Sequence, residues 1–247
     1  AIGTTDLLKI RAGMRMQWVG IDNAPRTFLA IADMPFKLFN KRFGVGLVMQ
    51  QESLGLFKNM NIGAQIAYKQ KLFKGTLSIG AQIGFFDQSF KGSEVYIPDD
   101  DDYHQSTDEA IPQQDIRGNA FDLGLGLFYT HRWFWAGLSA THLNSPSVKL
   151  DAETGENGNE RNYEFNLGRT LYFMAGSNIP VKNTLFEVLP SVLVKTDFTF
   201  TTWEATARVR YNKFLTGGFG YRWKDAAYVV LSAEFKGFYI GYSYDYP

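Results

Sequence analysis

Residues 8–17 alternate without a break: Leu8, Ile10, Ala12, Met14 and Met16 fall on one face, Lys9, Arg11, Gly13, Arg15 and Gln17 on the other. Successive strand residues point to opposite sides, so the segment reads as a two-faced β-strand. The pattern returns at 28–35, 43–51, 59–69, 77–89, 121–129 and 133–142, and then at 167–180, 185–196, 202–211, 215–223, 227–235 and 238–246. In residues 202–211, Trp203, Ala205, Ala207 and Val209 oppose Glu204, Thr206, Arg208 and Arg210. That makes about thirteen segments of roughly ten residues, the length a tilted strand needs to cross a bilayer. Strands of soluble sandwiches run nearer about 5 or 6 residues. The pattern therefore predicts an all-β fold, a transmembrane antiparallel up-and-down β-barrel of about 14 strands with about 13 in this chain. Closed bacterial barrels take an even number, so a further strand is expected beyond Pro247.

Loop lengths support the same reading. The long polar connections 20–26, 91–119 and 144–166 follow odd-numbered segments, whereas the turns after even-numbered ones are short. Outer-membrane barrels show this asymmetry, with short turns in the periplasm and long loops outside. A barrel of about 14 strands encloses more space than a filled eight-stranded one and less than an open porin. It has room for a plug, and residues 91–119 are the internal candidate. Aromatic rings crowd the segment ends. Trp18, Tyr129, Trp133, Tyr221 and Trp223 are expected at the membrane interface, where one edge of a ring is apolar and the other wet.

Composition narrows the picture. No linker divides the 247 residues, so a single outer-membrane β-barrel domain is expected over 1–247. No apolar run approaches the roughly 20 residues of a membrane helix, which leaves the barrel reading untouched because barrel strands dilute each apolar residue with a polar one. Lys plus Arg and Asp plus Glu balance at 25 each, so nothing argues for a nucleic-acid partner. The absence of cysteine removes disulfides, thiolate metal sites and a cysteine nucleophile. Ala1 is not preceded by a signal peptide, which is expected to have been removed already if there was one.

No catalytic constellation emerges. His104, His131 and His142 lack metal-ligand spacing; His104 reads as a loop residue and the other two as interface residues. The glycine pairs Gly44/Gly46 and Gly124/Gly126 lie inside strands with no helix after them, so they read as small lumen-side residues and not as a phosphate cradle. The acidic run Asp99, Asp100, Asp101 and Asp102 reads as a solvated external loop, since the glycine and closing glutamate of a calcium loop are missing. Arg11, Arg15, Lys195, Glu204, Arg208, Arg210, Arg222, Glu234 and Asp245 fall on the polar sides of their segments and are the candidate lumen-facing residues. Their mixed signs suit a network that holds the wall in shape better than a single-sign selectivity ring. Pro190 cannot donate to a ladder, so a bulge or local opening is expected there.

Several phrases resemble the PorP/SprF family of outer-membrane proteins associated with type IX secretion and gliding motility. They are Gln17-Trp18-Val19-Gly20 followed by Ala24-Pro25-Arg26-Thr27, then His142-Leu143-Asn144-Ser145-Pro146 and Leu189-Pro190-Ser191 with Lys195 following. Tyr221-Arg222 with Asp225-Ala226 and the terminal Gly241-Tyr242-Ser243-Tyr244-Asp245 complete the series, in order along almost the whole chain. The resemblance implies an envelope barrel of Bacteroidetes, without catalytic residues, cofactor or metal. Its implied partners are outer-membrane lipid, a secreted adhesin or the C-terminal domain of one, and periplasmic or lipoprotein components of the secretion machine. It also implies a different start and a final strand near the carboxyl terminus, whereas this sequence begins Ala1-Ile2-Gly3 and stops at Pro247. The expected function is adhesin anchoring at the outer membrane of a Gram-negative bacterium. The alternatives are a passive, porin-like channel, a lipid-modifying enzyme barrel with a surface serine and histidine, and a soluble binder that folds without detergent.

Overall fold

The computed structural model describes residues 7–95, 112, 114–154 and 160–246. Its strands are β1 (Lys9–Met16), β2 (Arg26–Leu38), β3 (Lys41–Leu54), β4 (Phe57–Leu72), β5 (Gly75–Lys91), β6 (Asp115–Thr130), β7 (Phe134–Thr141) and β8 (Ser147–Thr154). They continue with β9 (Glu160–Asn166), β10 (Thr170–Ser177), β11 (Ile179–Pro180), β12 (Phe186–Thr196), β13 (Thr201–Tyr211), β14 (Leu215–Arg222), β15 (Ala226–Phe235) and β16 (Phe238–Tyr246). Thirteen of these form one antiparallel path, β1-β2-β3-β4-β5-β6-β7-β10-β12-β13-β14-β15-β16, and each coincides with an alternating segment of the sequence. β11 prolongs the ladder on β12, and β8 pairs with β9 in a separate two-stranded sheet.

Register sorts the side chains. Directly opposed residues share a face, so the apolar series runs from strand to strand through Val45, Ile66, Ala81, Leu125 and Ala140. One residue along, the polar series reads Gly46, Gln65, Gln82 and Gly124. The apolar face is the exposed one: Ile10 is 75% accessible, Leu47 62% and Leu125 57%. A continuous band of this kind would aggregate in water, and it matches the lipid-facing wall of a membrane barrel.

The polar face is concave. Arg15 on β1 and Asp245 on β16, at opposite ends of the strand order, lie 3.3 Å apart, so the sheet curls until its two edges meet through polar-face side chains. Among the described residues no ladder joins β1 to β16. With thirteen alternating strands these two edges run in the same direction, so they cannot pair as antiparallel neighbours.

The two rims differ. On one, here the turn side, hairpins close at 39–40, 73–74, 131–133, 181–185, 212–214 and 236–237; from the other, the loop side, the longer connections 17–25, 92–114 and 142–169 leave their strands. β5 and β6 stand above the apolar band on the loop side. Phe85 and Phe121 meet edge to face at 5.8 Å, and beyond them the outer face turns polar, with Arg117 Nε 2.9 Å from Asp87.

Two features of the concave wall bear on the sequence reading. Among the described residues, the element folded against the concave face is the hairpin β8–β9; most of the candidate 91–119 lies outside the described residues, and its residues 115–119 are wall strand β6. Val148 there is fully buried with Phe86 and Leu167, beside Ala120 and Leu150. The fit depends on Gly118, because a Cβ at that position would stand 2.1 Å from the Lys149 carbonyl oxygen. At Pro190, of the two alternatives expected, the wall shows the local opening and no bulge. The β10–β12 ladder stops at Gly176–Ser191 and resumes in the same register with β11 at Ile179–Val188, while pairing to β13 continues through Pro190–Ala207.

Candidate functional site: the concave face

The wall formed by β12 to β16 and β1 carries the charge. Arg222 is the hub: its Nε donates to Glu204 Oε2 at 3.1 Å, and its Nη1 donates to Asp225 at 2.7 Å and to Asp245 at 3.4 Å. Asp245 also accepts from Arg15. The Tyr228 hydroxyl donates to Glu204 Oε1 at 2.5 Å and lies 2.6 Å from Thr206 Oγ1. Tyr228 reaches these partners by lying across Gly220, where a Cβ would come within 2.1 Å of the ring. The network therefore links four strands, β13 to β16, and crosses to β1.

Register places all nine sequence candidates on this polar face. Arg15, Glu204, Arg222 and Asp245 come together, whereas the others act in separate places. Arg11 binds the buried Asp33. Arg210 Nε donates to Glu187 at 2.7 Å, and Lys195 stands 5.9 Å from the Tyr172 ring centre. Glu234 opposes Tyr239. Arg208 has a buried Nε with no acceptor among the described residues. Sequence reasoning missed Asp33, Glu187 and Tyr228. Each is flanked on both sides by apolar residues, but only the register reveals its partner.

On the facing wall the cavity lining is uncharged. Gln65, Ser78, Gln82, Ser139 and Thr141 line a cavity of about 280 Å³ floored by Gly80, Gly124 and Gly126. Gln65 Nε2 donates to Gln82 Oε1 at 2.5 Å. Toward the loop side this wall meets Asp122, 1% exposed, whose Oδ1 is 3.0 Å from His142 Nδ1. His142 turns inward because its backbone is left-handed, with φ 55°, and its ring meets Phe86 edge-on at 6.3 Å. It belongs to the concave face and not to the membrane interface where the sequence placed it. Two residues on, Asn144 stands in for a strand: its Oδ1 accepts from Leu123 N at 3.1 Å and its Nδ2 donates to Phe121 O at 2.7 Å.

The aromatics expected at the interface lie at both rims. Trp223 stacks on Trp203 at 5.1 Å and meets Tyr221 edge-on at 6.2 Å on the loop side. Trp18 also lies on that side, 66% exposed. On the turn side Tyr129 packs on Phe134 at 5.8 Å, and Trp133 carries the Arg132 guanidinium 4.7 Å from its ring centre. Asp99, Asp100, Asp101, Asp102 and His104 lie outside the described residues. Among the described residues no three His, Cys, Asp or Glu side chains group as metal ligands.

On the loop side, Asp197 holds the turn between β12 and β13. Its Oδ1 accepts from Phe200 N at 2.6 Å and Thr199 N at 2.9 Å, and these two donors hold the carboxyl below its ordinary pKa. A depressed folded-state pKa contributes stability above the unfolded value and loses it as pH falls through the folded one. Asp197→Ala should therefore lower the melting temperature at about pH 7, and the difference from the parent should shrink toward about pH 3. A difference independent of pH in thermal melts would refute the charge-assisted turn.

The whole chain, residues 1–247, matches the family model described as type IX secretion system membrane protein PorP/SprF. No curated protein and no solved structure matches it.

Proposed function

Because the chain belongs to the PorP/SprF family of type IX secretion system membrane proteins, we propose that it is an outer-membrane barrel of a Gram-negative bacterium that anchors a secreted surface adhesin and contacts other parts of the secretion machine. Family membership is the observation that carries this reading. The exposed apolar band supports the membrane setting. The loop-side connection 17–25 leaves Trp18, Val19 and Ile21 exposed beyond the strands, and the concave face binds its charges to one another in place of a catalytic arrangement. The turn side then faces the periplasm.

Affinity purification of the tagged barrel in mild detergent, followed by mass spectrometry, tests the assignment. A secreted surface protein should co-purify in near-stoichiometric amount. Repeated recovery of the barrel alone would overturn the anchoring role, and a stable open conductance of that isolated barrel in planar bilayers would favour the channel.

A further inference from the structure

Among the three neighbouring turn-side hairpins, β2–β3, β4–β5 and β6–β7, two features stand out that a plain periplasmic turn does not need: the first belongs to β2–β3 and β4–β5, the second to all three. The first is exposed phenylalanine in a strained backbone. Phe39 and Phe73 occupy the first position of two-residue turns with φ 49° and 47°, and they are 88% and 83% exposed. Turns with positive φ at both central positions favour Asn, Asp and Gly, and a bulky residue there is an outlier. The Phe73 turn is also braced: the Tyr129 hydroxyl donates to the Leu72 and Phe73 carbonyls at 3.2 and 3.0 Å. Gly75 makes that brace possible, since a Cβ at residue 75 would lie 2.5 Å from the same hydroxyl.

These rings are not part of the lipid belt. The belt on these hairpins is the stack Phe36–Phe43–Tyr68, with ring centres 5.4 Å apart at each step. Phe39 lies three residues further out, about 10 Å at strand rise. Phe73 follows Tyr68 by five residues, beyond the same girdle.

The second feature is charge. Residues 34–51, 53–86 and 123–150, which form these hairpins, contain no acidic residue. Lys37, Lys41, Arg42, Lys71, Lys74 and Arg132 flank the tips. In a chain with zero net charge this leaves one sector of the turn side basic, and Lys71, Lys74 and Thr130 line a recess beside Phe73. Exposed aromatic anchors ringed by one sign of charge are the composition of a protein-binding patch, and the sign selects a partner of opposite charge.

We propose that this sector is a docking surface for an acidic protein on the turn side of the membrane, with Phe39 and Phe73 as anchors held in place before binding. The proposal rests on the reading of this chain as a barrel of the secretion machine, and it gives that machine's turn-side contact an address and a chemistry.

A photo-crosslinking amino acid at position 73, introduced in cells, tests it directly. The expected result is one discrete protein adduct whose crosslinked peptide is rich in Asp and Glu. The Lys71→Glu/Lys74→Glu variant should weaken the adduct about tenfold. Adducts to lipid alone, or none, would overturn the proposal, as would a larger fractional quenching by brominated phospholipid in a Phe73→Trp variant than in the parent. Phe39→Asn/Phe73→Asn guards against misfolding as an explanation, because asparagine suits both turns and the barrel should keep its heat-modifiable mobility while the partner is lost. If the partner remains on this double variant, the anchors are refuted. The loop-side adhesin is measured in the same cells. Its retention without a turn-side adduct would remove only the docking surface, whereas its absence from the parent would remove the anchoring role.

Discussion

Leu125→Arg should destabilise the barrel by about 2–4 kcal/mol, whereas Asn119→Arg, on the same strand and the same outer face, should change it by about 0–1 kcal/mol. Leu125 lies midway between Phe121, where the outer face becomes polar toward the loops, and Tyr129 at the turn-side rim. Its neighbours across the ladders are Ala81 and Ala140, so an arginine there would have no polar group of the wall to reach. Asn119 stands above the band, opposite Asp87. Leu125 is already 57% accessible, so in a water-soluble sheet the arginine would simply be solvated and the two variants would behave alike. Denaturant unfolding in lipid vesicles, followed by tryptophan fluorescence, separates these outcomes. Equal stability of the two variants would remove the lipid-facing assignment.

The same depth dependence explains why the wall was readable from the sequence. A membrane barrel favours a two-residue period, which is plain in β1, β4, β6 and β13, whereas β2 and β12 also carry Leu29, Ile31, Leu189 and Leu193 on the polar face. The hairpin β8–β9 does not face lipid, and its alternation is reduced to Val148 and Leu150 on one strand and Tyr163 and Phe165 on the other. Within a polar stretch that signal reads as loop. His142 illustrates a second limit. A single residue with φ 55° reverses which side the chain presents, and no periodicity can announce it. The charged candidates were recognisable as polar-face residues from their own strands, but Arg222 with Glu204, or Arg15 with Asp245, are joined by register and by the curl of the sheet. Those are properties of the whole wall.

Glu204→Ala should cost about 1.5–3 kcal/mol, the range for hydrogen bonds to charged groups. Glu204 and Arg222 are each only 22% exposed, so the deletion leaves a half-buried guanidinium and the Tyr228 hydroxyl short of an acceptor that water replaces incompletely. Arg222 would still hold Asp225, but that carboxylate is 58% exposed and lies in the adjoining turn. Its remaining tie inside the wall would be to Asp245. Glu204→Gln should cost less than Glu204→Ala, since the amide oxygen still accepts from one of the two donors. In Glu204→Ala/Arg222→Met, the two losses should sum to clearly more than the double variant shows, because neither partner then leaves the other unpaired. Glu94→Ala provides the contrast. It removes the Lys91–Glu94 pair, whose side chains are both more than half exposed, and screened surface pairs of that kind contribute little. If Glu204→Ala unfolds at the same denaturant concentration as Glu94→Ala, the Arg222 hub is a solvated contact and does not hold β13 to β16 together.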